Sequence, residues 1–93
     1  MIKSIRHKGL KRFFETGNTS GIQSKHAKLL AKRLAVLNRA KSVEDIAFFK
    51  NYDLHQLKGK DASRWSIKVN GNWRLTFEFR DSDVYVLDYE DYH

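Results

Sequence analysis

The hydrophobic pattern changes period part-way along the chain. In residues 8–16, Leu10, Phe13 and Phe14 fall at i, i+3 and i+4, the spacing of one helix face, and Gly17 stands where a left-handed residue ends a helix. Ser20-Gly21-Ile22-Gln23 has the S-x-x-Q form of a capping box and predicts a second, longer helix reaching about Ala40. Ala27, Leu30, Leu34 and Leu37 form its buried stripe, and Lys25, Lys28, Lys32 and Arg39 share another face. Ser42-Val43-Glu44-Asp45 caps one further short turn through Phe49, and Ile2–Ile5 reads as a short strand.

From residue 54 the period is two. Leu54–Lys58 is a short strand candidate. Trp65, Ile67 and Val69 alternate with Ser66, Lys68 and Asn70. Asn70-Gly71-Asn72 supplies a tight hairpin turn, because Asn and Gly tolerate positive φ. The return strand sets Trp73, Leu75, Phe77 and Phe79 against Arg74, Thr76, Glu78 and Arg80. Asp81-Ser82-Asp83 turns again, and a last strand runs from Val84 to about Glu90. Consecutive strands on short turns predict an antiparallel meander. Its Trp/Phe face must be covered, and the helices are the available cover. The expected fold class is α+β: two N-terminal helices packed on one face of a small antiparallel sheet. At 93 residues, one domain spanning 1–93 is expected. The opposite sheet face, which carries Arg74, is expected to stay open.

Composition narrows the function classes. With 18 Lys/Arg against 11 Asp/Glu, the net charge is +7. Residues 1–41 hold eleven of the bases and one acid, Glu15, a net of +10; residues 42–93 hold seven bases and ten acids, a net of −3. A basic half of that density suits a polyanion, and nucleic acid is the common one in the cytosol. The absence of cysteine excludes disulfides, a thiol nucleophile and Cys-based zinc sites. No run approaches a membrane span, and the segment Met1–Phe14 has charge but no apolar core, so no export signal and a cytoplasmic location are expected.

Of the four histidines, His7 and His26 read as surface residues of the helical half, whereas His55 and His93 sit among polar groups of the β half. Asp88, Glu90, Asp91 and His93 crowd the last six residues, but strand alternation splits them two to a face, too few for a metal ion. No metal or cofactor is therefore expected. Metal-free RNA cleavage is a second candidate chemistry, against the reading of each residue as a surface residue of an amphipathic sheet. Attack of a 2′-hydroxyl on the neighbouring phosphate needs a base, cations for the developing phosphorane charge, and an acid for the leaving 5′-oxygen. His55, Lys58, Arg74, Tyr92 and His93 would be a sufficient set if one sheet face collected them.

Four segments together resemble one family. L-H-x-L-K-G (Leu54–Gly59), W-S-I-x-V-N-G-N-W-R-L (Trp65–Leu75), the terminal D-Y-x-D-Y-H (Asp88–His93) and M-I-K-S-I-x-H-K-G-L-K-x-F-F-x-T-G (Met1–Gly17) are similar to the HigB toxins, the "killer protein" branch of the RelE/ParE superfamily. The resemblance implies a compact microbial-ribonuclease-like fold and a ribosome-dependent endonuclease that cuts messenger RNA in the decoding site. It implies a HigA-like helix-turn-helix antitoxin as partner, with operator DNA reached only through that antitoxin. It also implies roles: His55 as base, Lys58 and Arg74 as phosphorane stabilisers, and Tyr92 or His93 as acid or orienter, with Asp91 beside them. The basic ridge Lys25, Lys28, Lys32 and Arg39 would then dock on ribosomal RNA. A gyrase-poisoning toxin of the ParE type is the alternative, but a pure binder needs no such catalytic set. A non-enzymatic RNA-binding module is disfavoured because Trp65, Trp73, Phe77 and Phe79 alternate as a buried face does, not as a stacking platform.

Overall fold

The computed structural model describes residues 1–59 and 63–92. Helix α1 spans Lys8–Thr16. Its start is capped by a histidine: His7 Nδ1 accepts the Leu10 N–H at 3.0 Å. Its end is the expected glycine, with Gly17 at φ 81° and its N–H donating to Phe13 C=O at 2.8 Å. Helix α2 spans Ala27–Arg39 and follows a 3₁₀ turn at Ser24–His26. The capping box expected at Ser20 does not form. The Ser20 N–H is taken by Asn18 Oδ1 at 2.8 Å, the Gln23 N–H that the box would turn to Ser20 points at the Tyr89 hydroxyl instead, and Gln23 is extended. The short helix α3, Val43–Ala47, starts as expected, with Asp45 Oδ2 accepting the N–H groups of Lys41 and Ser42 at 2.8 and 3.3 Å.

The strands are β1 (His55–Gln56), β2 (Arg64–Asn70), β3 (Trp73–Arg80) and β4 (Asp83–Asp91), in the order β1-β2-β3-β4, all antiparallel. The segment Ile2–Ile5 adds an irregular edge: Ile2 and Ile5 bridge in parallel to Val84 and Leu87 of β4. The β3–β4 register slips between Thr76 and Glu78, and Val86 takes a left-handed φ of 51°, a strained value for a β-branched residue and the mark of a bulge.

The core lies between the helices and the Trp/Phe sheet face. Leu10, Leu30, Leu37, Ile46, Ile67, Leu75, Phe77, Val84 and Leu87 are fully buried, with Trp65, Trp73 and Phe79 half-buried against them. Leu34 is nearly buried, whereas Ala27 of the expected stripe is half-exposed. Arg33 of α2 is buried: its Nε donates to Lys68 C=O at 2.7 Å, and its guanidinium lies 4.3 Å over the Tyr52 ring, riveting α2 to β2. No helix among the described residues is long and apolar enough to cross a membrane.

His26 is the clearest departure from expectation. It is not a surface residue but 1% exposed, with Nδ1 2.6 Å from the Tyr89 hydroxyl and its ring edge-on to Trp73. The Gln23 N–H also points at that hydroxyl, at 3.4 Å. Burial, with Lys25 adding to it, holds the imidazole pKa below its ordinary value, and burial raises that of the Tyr89 phenol.

Candidate active site

The polar sheet face is built by alternation. Residues opposite each other in an antiparallel ladder point the same way. His55 lies opposite Ser66, Ser66 opposite Thr76, and Thr76 opposite Asp88; in the neighbouring row Lys68 lies opposite Arg74, and Arg74 opposite Glu90. This face is less open than expected. Ser66 and Thr76 are fully buried, because the long side chains of Arg64 and Arg74 lie over them and bond to their hydroxyls.

Arg74 sits at the middle of the face, on β3. Its Nη1 donates to Ser66 Oγ and its Nη2 to Asp53 Oδ2, each at 3.3 Å. Asp53 comes from the turn before β1. There Tyr52 is buried at the end of a 3₁₀ turn (Lys50–Tyr52), and Asp53 itself is left-handed at φ 51° and ψ 52°. The Asp53 carbonyl lies 3.2 Å from His55 Nδ1. A carbonyl only accepts, so in the neutral ring the proton sits on Nδ1 and Nε2 is left as the acceptor. His55 is exposed, and that tautomer is the one a general base needs. His55 and Arg74 are thus brought together around one residue.

Lys58 is exposed just beyond β1. Tyr92, 43% exposed, lies one step past β4, where its N–H donates to Asn72 C=O at 2.7 Å. By alternation its side chain belongs to the face of Glu90 and Arg74. Asp91 lies opposite Trp73 and so belongs to the other face. Of the expected set, Asp91 is therefore the member that alternation does not bring to Arg74, and His93 lies outside the described residues. β1 and β4 are the first and last of the four strands, roughly 14 Å apart at three strand spacings. A phosphate over Arg74 lies between the strand that carries His55 and the one that leads to Tyr92, so each side chain would approach it from its own side.

Lys25, Lys28, Lys32 and Arg39 are all exposed on the helical side, away from the polar sheet face.

Sequence reasoning missed the floor of the site. Arg64 is 8% exposed; its Nη2 donates to Thr76 Oγ1 and to the bulged Val86 C=O, each at 2.9 Å, and Thr76 Oγ1 in turn donates to Glu90 Oε2. Its Nη1 has only Glu78 Oε2, 3.8 Å away, among the described residues. The available signal was the alternation itself, since Arg64, Ser66 and Lys68 share one parity in β2. Asp53 left no signal, because nothing local ties it to Arg74.

Over residues 3–93 the chain matches the model of the HigB-like toxins, described as RelE-like toxins of the type II toxin–antitoxin system HigB. The chain belongs to this family. It is also 45% identical, over 93 residues and the full length of both chains, to the endoribonuclease HigB of Proteus vulgaris. The helices over one face of a four-stranded antiparallel sheet are those of a RelE-like toxin. As a type II toxin, this HigB-like chain has an antitoxin partner, and it is a homologue of an endoribonuclease.

Proposed function

We propose that this HigB-like toxin is a ribosome-dependent messenger RNA endonuclease that cuts in the decoding site without a metal ion. The observation that carries the reading is the junction of His55 and Arg74 at Asp53, which sets an exposed base beside a held guanidinium. His55 Nε2 takes the 2′-hydroxyl proton, and the oxygen attacks the adjacent phosphorus. Arg74 and Lys58 stabilise the phosphorane charge that develops. Tyr92 or His93 protonates the departing 5′-oxygen, giving a 2′,3′-cyclic phosphate and a 5′-hydroxyl; Asp91 orients the chain end that carries them.

The exposed ridge Lys25, Lys28, Lys32 and Arg39 docks on ribosomal RNA in the cytoplasm. A HigA-like helix-turn-helix antitoxin neutralises the toxin and carries it to operator DNA. The test is primer extension on a message translated in a purified system. Cuts inside codons should need ribosomes and vanish in His55→Ala/Arg74→Ala. Uncut message with DNA damage instead would favour a gyrase poison of the ParE type.

A further inference from the structure

Resting on the reading of Arg74 as a phosphate holder, we infer that Asp53 is the positioning residue of this site and that its carboxylate occupies the place on Arg74 that an RNA phosphate takes. Three features meet at Asp53. Its backbone is left-handed at φ 51°, its carbonyl accepts from His55 Nδ1 at 3.2 Å, and its carboxylate accepts from Arg74 Nη2 at 3.3 Å. Aspartate tolerates a left-handed backbone better than most residues, but its surroundings must still select it. Here the buried Tyr52 on one side and β1 on the other do so, and the Asp53 N–H closes onto Lys50 C=O at 3.2 Å.

The two ends of the Arg74 fork differ. The Nη1 end is fastened to Ser66, which is fully buried, whereas the Nη2 end meets a carboxylate whose side chain is 62% exposed. The Ser66 bond keeps the guanidinium aimed. The Asp53 bond is solvent-screened and easily exchanged. A phosphate oxygen is the same kind of partner, an anionic oxygen accepting from the guanidinium, so the two compete for the same donor. When RNA arrives, Asp53 swings into water, where it is already largely exposed, and no charge is stranded. Arg74 is thus kept in its working direction without RNA, at the expense of some phosphate affinity. The Asp53 carbonyl holds the His55 tautomer throughout, because it belongs to the backbone and does not swing.

The test uses the full chain with inorganic phosphate as probe, followed by the ¹⁵N resonances of the Arg74 side chain. Asp53→Asn removes the competing charge and keeps a residue that tolerates the left-handed backbone. Losing an exposed pair predicts phosphate binding about two- to fivefold tighter than in wild type. Glu44→Gln, on the exposed side of α3, removes the same charge elsewhere and should leave the affinity unchanged. His55 should show the Nδ1–H tautomer in wild type and in Asp53→Asn alike. Equal or weaker phosphate binding by Asp53→Asn would overturn the inference, as would an equal gain in Glu44→Gln or an Nε2–H tautomer in wild type. Neither RNA nor ribosomes enter this experiment, so a toxin that failed to cut message would sink the proposed nuclease reaction separately. If Arg74→Ala binds phosphate as wild type does, Arg74 is not a phosphate holder, and both readings of it fall.

Discussion

Gly9→Ala separates two opposite expectations for one methyl group. By helix propensity alone the substitution in α1 stabilises, by up to about 1 kcal/mol. The tertiary structure reverses the sign. A Cβ on Gly9 would stand 2.1 Å from the Gly21 carbonyl oxygen and 2.6 Å from its carbon, whereas ordinary contact begins at 3.4 Å. The obstacle is backbone, which has no rotamer to yield, so α1 and the 18–23 loop must part by roughly 1 Å, a shift of the kind that overpacking forces. That loop supplies the Gln23 N–H to Tyr89 and leads into His26, and α1 carries the fully buried Leu10. Overpacking costs typically about 1–3 kcal/mol and occasionally more, and a clash of backbone with backbone lies at the upper end, so it outweighs the propensity gain and leaves a net loss of about 1–3 kcal/mol. For a chain of this length the total stability is on the order of 5–14 kcal/mol. Thermal unfolding followed by circular dichroism should show the Tm falling by roughly 5–20 °C. Gly21→Ala, whose Cβ would stand 2.5 Å from Gly9 Cα, should behave similarly. The double variant should lose less than the two single losses added, because one separation relieves both clashes. Gly17→Ala is the contrast: nothing lies within 4 Å of its Cβ position, so its loss, about 1 kcal/mol, comes only from the left-handed backbone, and Gly17→Asn should recover part of it. An unchanged or raised Tm in Gly9→Ala would refute the close-approach argument.

Other substitutions probe the rest of the molecule. Because burial lowers the folded-state pKa of His26, the unfolded chain binds protons first as pH falls below the ordinary value of 6.5. Stability should therefore be level in pH above that value and drop below it. His26→Phe should flatten that part of the curve, measured as urea midpoints at several pH values; an unaltered slope would count against it. Arg74→Lys keeps the charge but not the fork that holds Ser66 and Asp53 together, so cleavage of translated message should fall about 10²- to 10³-fold with the fold intact. Lys28→Glu/Lys32→Glu should weaken ribosome binding and flatten its salt dependence without shifting the Tm, and tight binding by this variant would remove the docking role from the ridge. Asp45→Ala strips the acceptor from the Lys41 and Ser42 N–H groups and should cost about 1 kcal/mol in chemical denaturation.

The features legible in the sequence are those that nearest neighbours settle. Gly17 ends α1 because a left-handed residue is needed one step past its last turn. Asn70-Gly71-Asn72 turns the chain with Gly71 at φ 56°, and the parity of Trp65, Ile67 and Val69 against Ser66 and Lys68 sorts the two faces of β2 without reference to anything distant. The same parity places Arg74 on the polar face. The family segments around His55 and Arg74 are likewise short stretches of chain. What sequence could not supply comes from contacts between residues far apart. The helix expected from Ser20 is delayed to Ala27, with Gln23 extended and its N–H turned to the Tyr89 hydroxyl 66 positions away rather than to a local cap. His26 is buried because Tyr89, 63 positions away, offers its hydroxyl. The bulge at Val86 is met by Arg64, 22 positions earlier, and Asp53 reaches Arg74 across 21. Local propensity decides which way a side chain faces; only the folded register decides what it meets there, and in this toxin that second choice builds the floor of the polar face and seats Asp53 on Arg74.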